Sequence, residues 1–554
     1  MDFLLRYPFV VLWLLLVAGY FAARLGDSWF SRIECWGAEV AGKKGAVVGA
    51  IGLATVVLRV ALLPVMPLPV PAVHDEFSFL LAADTFVHGR LANPPHPMWL
   101  FLETFHVLQQ PTYASMYPPA QGAALALGQL LGNPWIAVLV STGGMCAAVT
   151  WALQGWLPAR WALLGGVLLL VRIGLFSYWM DSYWGGSVAA IGGALVIGAL
   201  PRIVRQQRVR DAVLMALGAG TLANSRPLEG FIFCLPVMVA LLVWLGSKRS
   251  ARLGVTVPRV VLPTAGVLTL TLAFIAYYNW RVAGDALLFP EMVDQKVYTN
   301  YPLFVWQAPK APLHYNNPQF EKFYNTISAS RPRSMMFSLK DKSAKLWLFF
   351  AGSPFSLLLL AFPSMLADKR IRLLLIQFAW CFVGLVAVVW FFPHYAAPLT
   401  ATIFMLLVQA MRHLRHWEVQ GRRVGVYFAR LVVLMALARA GVLAAKAHRD
   451  PQRNWSVYRA HIAKQIEAMP GRHLVIVKYD KLHDPNKEWV YNAADIDGAK
   501  VVWARDIPGK DMSTLLEYFR DRNVWVAEAD APIPRLEHFR SQSRVLSGRG
   551  EESP

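Results

Sequence analysis

This 554-residue sequence is poor in acidic charge and in cysteine. It carries 34 Asp+Glu against 54 Lys+Arg, a formal net charge of +20, and four cysteines. Cys146, Cys234 and Cys381 fall inside apolar runs, and no two cysteines have metal-ligand spacing. Neither a disulfide framework nor a zinc site has support. Also missing are a P-loop, a Gly-rich dinucleotide fingerprint, a Gly-x-Ser-x-Gly elbow, a His-Glu-x-x-His pair and any internal repeat. The commonest sequence signs of nucleotide, hydrolase and metalloprotease chemistry are therefore absent.

Polar surface is scarce as well. The chain is 56% hydrophobic with a mean hydropathy of +0.40, too apolar for a soluble protein of this size. Its apolar residues come in blocks about as long as a helix crossing ~30 Å of hydrocarbon. The fold class this implies is an all-α polytopic membrane protein. Basic residues in such excess would suggest nucleic acid in a soluble chain. Here they cluster in short links between apolar blocks, which is the positive-inside pattern, and no nucleic-acid partner is expected.

Twelve spans are predicted, at about 7–24, 45–66, 134–153, 160–177, 186–200, 211–223, 229–246, 260–279, 345–366, 371–392, 396–411 and 424–445. If they alternate, Lys43/Lys44, Arg160, Arg202/Arg205/Arg208/Arg210, Lys248/Arg249/Arg252, Lys369/Arg370/Arg372 and Arg412/Arg415/Arg422/Arg423 share one face, the cytoplasmic one. The segments 67–133, 178–185, 224–228, 280–344, 393–395 and the tail from 446 then lie outside. No small-residue cleavage site follows the apolar stretch 9–23, which is read as a retained span. The expected location is a bacterial-type cytoplasmic (inner) membrane, with the loops and the tail facing the periplasm or exterior.

The run 120–131 is too short to cross. Introduced by Pro118-Pro119, it reads as a helix lying in the interface. Residues 75–88 read as another, with Asp75 at the N-cap position and Gly89 stopping it. In the tail, 473–479, 500–504 and 523–527 read as strands, and 455–468 and 512–522 as helices, giving a small α/β domain with a parallel sheet. The expected organisation is a first span with its link (1–44), a membrane module (45–445) with long loops 67–133 and 280–344, and a tail domain (446–554).

Chemistry is most legible at His74-Asp75-Glu76, where two carboxylates stand directly after an apolar span. Carboxylates are costly there and suit a general base acting on a hydroxyl; helix capping is the plainer use. Asp181 lies in Tyr178-Trp179-Met-Asp181-Ser-Tyr183-Trp184-Gly-Gly, an acid between two aromatic pairs. Asn224-Ser-Arg226-Pro227 puts an arginine on the side that the positive-inside trend avoids, and a guanidinium fork suits phosphate. His394, Arg172 and Lys342 are further candidate anion contacts, and Lys340 and Lys345 accompany Lys342. His74, His96, Tyr117, Tyr183 and Trp184 are expected to line the same region. Together the acids would activate an acceptor hydroxyl while the cations stabilise a phosphate leaving group. The membrane setting makes that phosphate a lipid's.

The Asp75-Glu76 pair after a span, the later Gly89, Tyr117-Pro118-Pro119 entering an interfacial helix, and the Arg226-Pro227 link resemble the GT-C membrane glycosyltransferases. The resemblance is to the branch with protein O-mannosyltransferases and lipid A aminoarabinose transferases. It spans 45–445 in architecture and 74–132 plus a few links in motif. It implies a polyprenyl-phosphate sugar as donor, inverting transfer to an acceptor glycan, lipid or protein, and Asp75 as the base, with Asp181 near the family's second-loop acid. No cofactor is required on that reading. A divalent cation, Mg or Mn, at Asp75, Glu76 and Asp181 would instead fit an enzyme that moves a preassembled oligosaccharide. This chain departs from the branch in its extra first span and in having Tyr-Pro-Pro where the branch has Lys-Pro-Pro. The rival class is a transporter or flippase for a lipid-linked substrate. Transporters bind near the midplane between related halves, whereas here the polar residues gather at one face and the halves show no similarity.

Overall fold

The computed structural model describes residues 21, 27–247, 253–308, 310–311, 313–331, 334–449 and 455–539. The predicted span 7–24 lies outside the described residues, apart from Phe21. Eight helices among the described residues are long and apolar enough to cross a membrane: Lys44–Ala61, Pro134–Trp156, Ser187–Gln206, Pro227–Leu245, Gly254–Ala283, Lys369–Ala387, Pro393–Arg415 and Val424–Lys446. Met335–Phe350 and Ser353–Ala367 form a further pair, bent by 109°. The protein is a multi-pass helical membrane protein.

Two predicted spans appear as short helices. The run at 160–177 is the α-helix Ala159–Leu169 followed by π-helix Leu170–Gly174, and 211–223 is the 15-residue helix Val209–Ala223. At 1.5 Å per residue, 15 residues rise only about 22 Å. Pro393–Arg415 is the most enclosed of the eight. It begins as the 3-10 turn Pro393–Leu399 before becoming the helix Thr400–Arg415.

The loop after Lys44–Ala61 holds two further helices. His74–Val87 packs on Pro119–Leu130, close enough that a Cβ on Gly122 would come within 2.6 Å of the Ala82 side chain. The short strands β1 (Val107–Leu108) and β2 (Ala114–Ser115) pair antiparallel beside them. Asp75 is not the N-cap. The helix starts one residue earlier with Val73 as its cap, and the Glu76 carboxylate reaches back to the backbone N–H of Val73 at 3.0 Å and of Ala72 at 2.8 Å. That reach-back closes the helix start and leaves Asp75 free of it.

The tail forms β3 (His473–Lys478), β4 (Val501–Arg505), β5 (Asn523–Glu528) and β6 (Leu536–His538), in the order β4-β3-β5-β6. β3 runs parallel to β4 and β5, while β6 returns antiparallel. One face packs against helix Trp455–Ala468 through Val475, Val477, Ile462 and Ile466. The other shares a core with the first loop, through Leu474, Ile476, Val502 and Ala504 against Leu81, Leu102, Val107 and Tyr113. Buried on both faces, the strands read as apolar runs, as parallel strands do.

Candidate active site

Asp75 sits in the first turn of His74–Val87, half-buried. Its Oδ1 accepts a hydrogen bond from the Tyr117 hydroxyl, carried at the entry to Pro119–Leu130. Burial and the adjacent Asp75 charge hold the Tyr117 hydroxyl well above its usual pKa, so it stays a donor. Tyr117, Tyr178 and Tyr395 each stand within electrostatic reach of both Asp75 and Arg226. A carboxylate and a guanidinium thus act electrostatically on the same three tyrosines.

Arg226 lies at the N-cap of Pro227–Leu245, its guanidinium 4.5 Å over the Tyr395 ring. Glu229 and Glu291 are carboxylates that favour its charge. No hydrogen bond or ion pair within 4 Å holds it among the described residues. On the neighbouring turn the fully buried His394 shares a 2.8 Å hydrogen bond between Nδ1 and the Tyr178 hydroxyl, and that hydroxyl also accepts from the His394 backbone N–H at 3.1 Å. Its Nε2 is buried with no partner. Trp184 packs edge-on to this imidazole at 4.7 Å.

The other predicted residues do different work. Glu76 is buried, and its Oε1 accepts from the Tyr183 backbone N–H at 2.9 Å, so with Ala72 and Val73 it ties three backbone donors together. Burial pushes its carboxyl up to about 7 against the pull of those bonds. The Tyr183 hydroxyl donates to the Pro69 carbonyl at 3.1 Å. Asp181 is the 2.7 Å counter-ion of Arg59, a fully buried arginine of the first described span. A buried arginine in a span needs such a partner.

Lys342 and Arg172 both donate to backbone carbonyls. The buried Lys342 ammonium donates to the carbonyls of Leu385, Val386 and Val388 at the end of Arg372–Ala387, and Arg172 donates to the Leu348 carbonyl. Cations near helix C-terminal carbonyls are well placed electrostatically, and sequence spacing does not show that a distant helix ends there. His74 and His96 sit where the first loop meets the tail. His74 Nε2 lies 2.9 Å from the Pro485 carbonyl, with the ring stacked on Phe105 at 4.4 Å. His96 Nε2 lies 3.2 Å from Asp497.

Among the described residues no group of three or more His, Cys, Asp or Glu is placed to hold a metal. Asp75, Glu76 and Asp181 do not fit a divalent cation, because the Glu76 oxygens are taken by N–H donors and Asp181 by Arg59.

Tyr178, Tyr395 and Glu291 are site residues the sequence did not single out. Glu291 and Asp294 stand one turn apart on Pro290–Val297, with no basic residue between them in the sequence. Burial, with Glu229 nearby, pushes the Glu291 carboxyl up. His106, within electrostatic reach of Asp75, is held at φ 60, a conformation non-glycine residues seldom adopt; nothing in its sequence context marks it.

The fold is that of a polytopic membrane protein, with Asp75 and Arg226 acting on the same three tyrosines beside its first loop. No protein-family profile matches the chain, and no curated protein does. Among solved structures it is similar to ArnT from Cupriavidus metallidurans in the apo state, at 14% identity over 91% of this chain and 94% of that one, with a TM-score of 0.47. ArnT bound to undecaprenyl phosphate aligns with the same figures. The Archaeoglobus fulgidus oligosaccharyltransferase in its apo form aligns at 11% identity over 78% of this chain, with a TM-score of 0.45. This chain spans 62% of the length of that oligosaccharyltransferase chain.

Proposed function

We propose that the protein is a membrane glycosyltransferase that moves a sugar from a polyprenyl-phosphate donor to an acceptor hydroxyl on the extracytoplasmic face, with inversion. The observation carrying this reading is an Asp75 carboxylate bonded by Tyr117 and an Arg226 guanidinium over the Tyr395 ring, both acting on the same three tyrosines. Asp75 takes the proton of the acceptor hydroxyl as its oxygen attacks the anomeric carbon from the face opposite the phosphate. The bond from that carbon to the phosphate oxygen breaks, and the lipid phosphate leaves with the electron pair. Arg226 faces the charge that develops, and a preorganised fork in a half-buried cleft is worth more there than in water. Tyr117 orients the base, while Glu76 and Asp181 position the loop and the link that carry the site. A small apolar crevice between Pro227–Leu245 and Arg372–Ala387 is lined by Ile232, Phe233, Cys381 and Leu385, with Glu229 and Tyr395 among its walls.

The test is mass spectrometry of lipid-linked sugars and envelope glycans from cells with the protein, without it, and with Asp75→Asn. General-base loss at a positioned carboxylate is expected to cost about 10²–10⁴-fold in rate. One polyprenyl-phosphate sugar should accumulate, and one glycan residue should disappear, in both the deletion and the variant. A normal glycan profile in cells making folded Asp75→Asn protein would remove Asp75 as the base.

A further inference from the structure

The span Lys44–Ala61 leads at its far end into the loop that carries Asp75. At its near end a groove of about 460 Å³ opens beside helix Asp27–Gly42. Trp36, Val40, Val47, Ala50 and Ile51 wall it, with Leu163 of the neighbouring helix Ala159–Leu169. Glu39 and Lys43 are the two charged residues of its lining. Helix Asp27–Gly42 is fixed along one face and bare along another. Glu34 pairs with Arg415 at 2.6 Å and with Arg430 at 3.3 Å, and Asp27 also pairs with Arg430. Trp29, Ile33 and Trp36 recur at helical spacing on the bare side, 57%, 45% and 65% exposed. A helix with such an outer stripe belongs in the membrane interface, where tryptophan is enriched. Trp36 belongs to both the stripe and the groove, and Ile51 stands only about 10 Å along the span from its start. The groove therefore opens toward lipid.

Polarity selects the occupant. Aliphatic walls offer water few partners and would leave the polar groups of a sugar or nucleotide unpaired, whereas an acyl chain matches them. The two charges select the headgroup. Helix Asp27–Gly42 stops at Gly42, so no continuous helix pairs Glu39 with Lys43 despite their four-residue spacing. Both are exposed, and neither has an ion-pair partner among the described residues. A phosphate would meet Lys43 while a primary ammonium on the same headgroup met Glu39. Lys43 and Lys44 also open a helix whose dipole disfavours cations there, which an anion offsets. A headgroup with phosphate alone would leave Glu39 opposed, and a quaternary ammonium has no N–H to donate to it. We infer that this groove binds a membrane phospholipid with a phosphoethanolamine headgroup, one acyl chain lying along Val47, Ala50 and Ile51. The inference stands whether or not Asp75 performs transfer.

Native mass spectrometry of the full chain, with phosphatidylethanolamine, phosphatidylglycerol and phosphatidylcholine of matched acyl chains offered separately, tests it. Phosphatidylethanolamine should be retained saturably and roughly tenfold more tightly than the other two, as one charge-assisted hydrogen bond implies. Glu39→Gln and Lys43→Gln, both at exposed side chains, should each abolish that preference. Ala50→Trp, which fills the groove from an exposed position on the span, should weaken retention by a similar factor. The two charge variants still decide the headgroup if Ala50→Trp misfolds. Asp75→Asn, beyond the far end of the span, should leave retention unchanged. Equal retention of the three lipids would overturn the proposal, as would a preference indifferent to both charge variants or retention unmoved in folded Ala50→Trp protein. Absence of any saturable retention would overturn it too, and would leave the groove to another segment of the chain or to a second copy.

Discussion

Arg226 holds a half-buried charge over a tyrosine ring without a hydrogen bond from any described residue. Glu229 and Glu291 favour its charge through space, but no bonded acceptor takes its N–H groups, and an arriving phosphate would fill them with parallel N–H···O bonds. Arg226→Ala is therefore expected to lower the transfer rate by about 10²-fold, the usual effect of removing one preorganised donor. Arg226→Lys should recover only part of it, because an ammonium keeps the charge and loses the fork. Steady-state kinetics of the purified protein with a polyprenyl-phosphate sugar check both; equal activity in Lys and wild type would show that only charge matters. Asp181 is a different case, since its bond is to the buried Arg59. Asp181→Asn leaves that cation uncompensated and should cost about 3–5 kcal/mol of stability, read as a fall in the thermal unfolding midpoint. An unshifted midpoint together with lost activity would return Asp181 to the chemistry.

At the scale of elements, the site depends on a few close approaches. The turn Pro393–Leu399 brings His394 and Tyr395 to the cleft because Gly193, in Ser187–Gln206, lets it come near. A Cβ at 193 would stand 2.0 Å from the Pro398 carbonyl oxygen, which no real contact permits. Gly193→Ala should displace the turn and reduce transfer at least as much as loss of His394, whereas Gly144→Ala, whose Cβ would meet only the Ile191 methyl at 3.5 Å, should be silent. Activity and thermal stability of the two alanine variants decide this. The helices around the site were largely legible. The segment 75–88, stopped by Gly89, and the apolar run 120–131, introduced by Pro118-Pro119, appear as His74–Val87 and Pro119–Leu130, and the tail strands appear in the expected parallel pairing. Less legible were the 109° bend after Phe350 and the Glu76 reach-back, because each depends on what a neighbouring segment offers.

Over the whole molecule, the tail sheet and the first loop share one core. The buried pair Arg505–Glu488 at 2.6 Å and the bond from Arg505 to the Glu103 carbonyl at 3.1 Å join them. His74 lies in this junction. Burial holds its imidazole down at about 3, against 6.5 when exposed, although Asp75 and the Pro485 carbonyl pull the other way. The folded form therefore stays neutral where the open form takes a proton. The stability this contributes is full above pH 6.5 and is lost as pH falls toward 3, by at most about 1.4 kcal/mol per pH unit. Hydrogen exchange in β3 and the first loop should accelerate between about pH 7 and 5 beyond its intrinsic pH trend, and His74→Gln, which does not titrate, should flatten the excess. The same excess in the variant would move the effect to another group.

The sequence by itself determined the class of the molecule and the address of its chemistry. Apolar block length and arginine placement are local quantities, and an acid beside a span is conspicuous wherever the chain goes afterwards. Only the tertiary structure decided which charged groups are free. It set Asp75 against Tyr117 and left Arg226 unpaired, while it spent Glu76 on three backbone N–H groups, Asp181 on Arg59, and Lys342 on the carbonyls of a helix end. A side chain's availability depends on partners up to 122 residues away in the case of Asp181, and no local pattern encodes a contact that only packing creates.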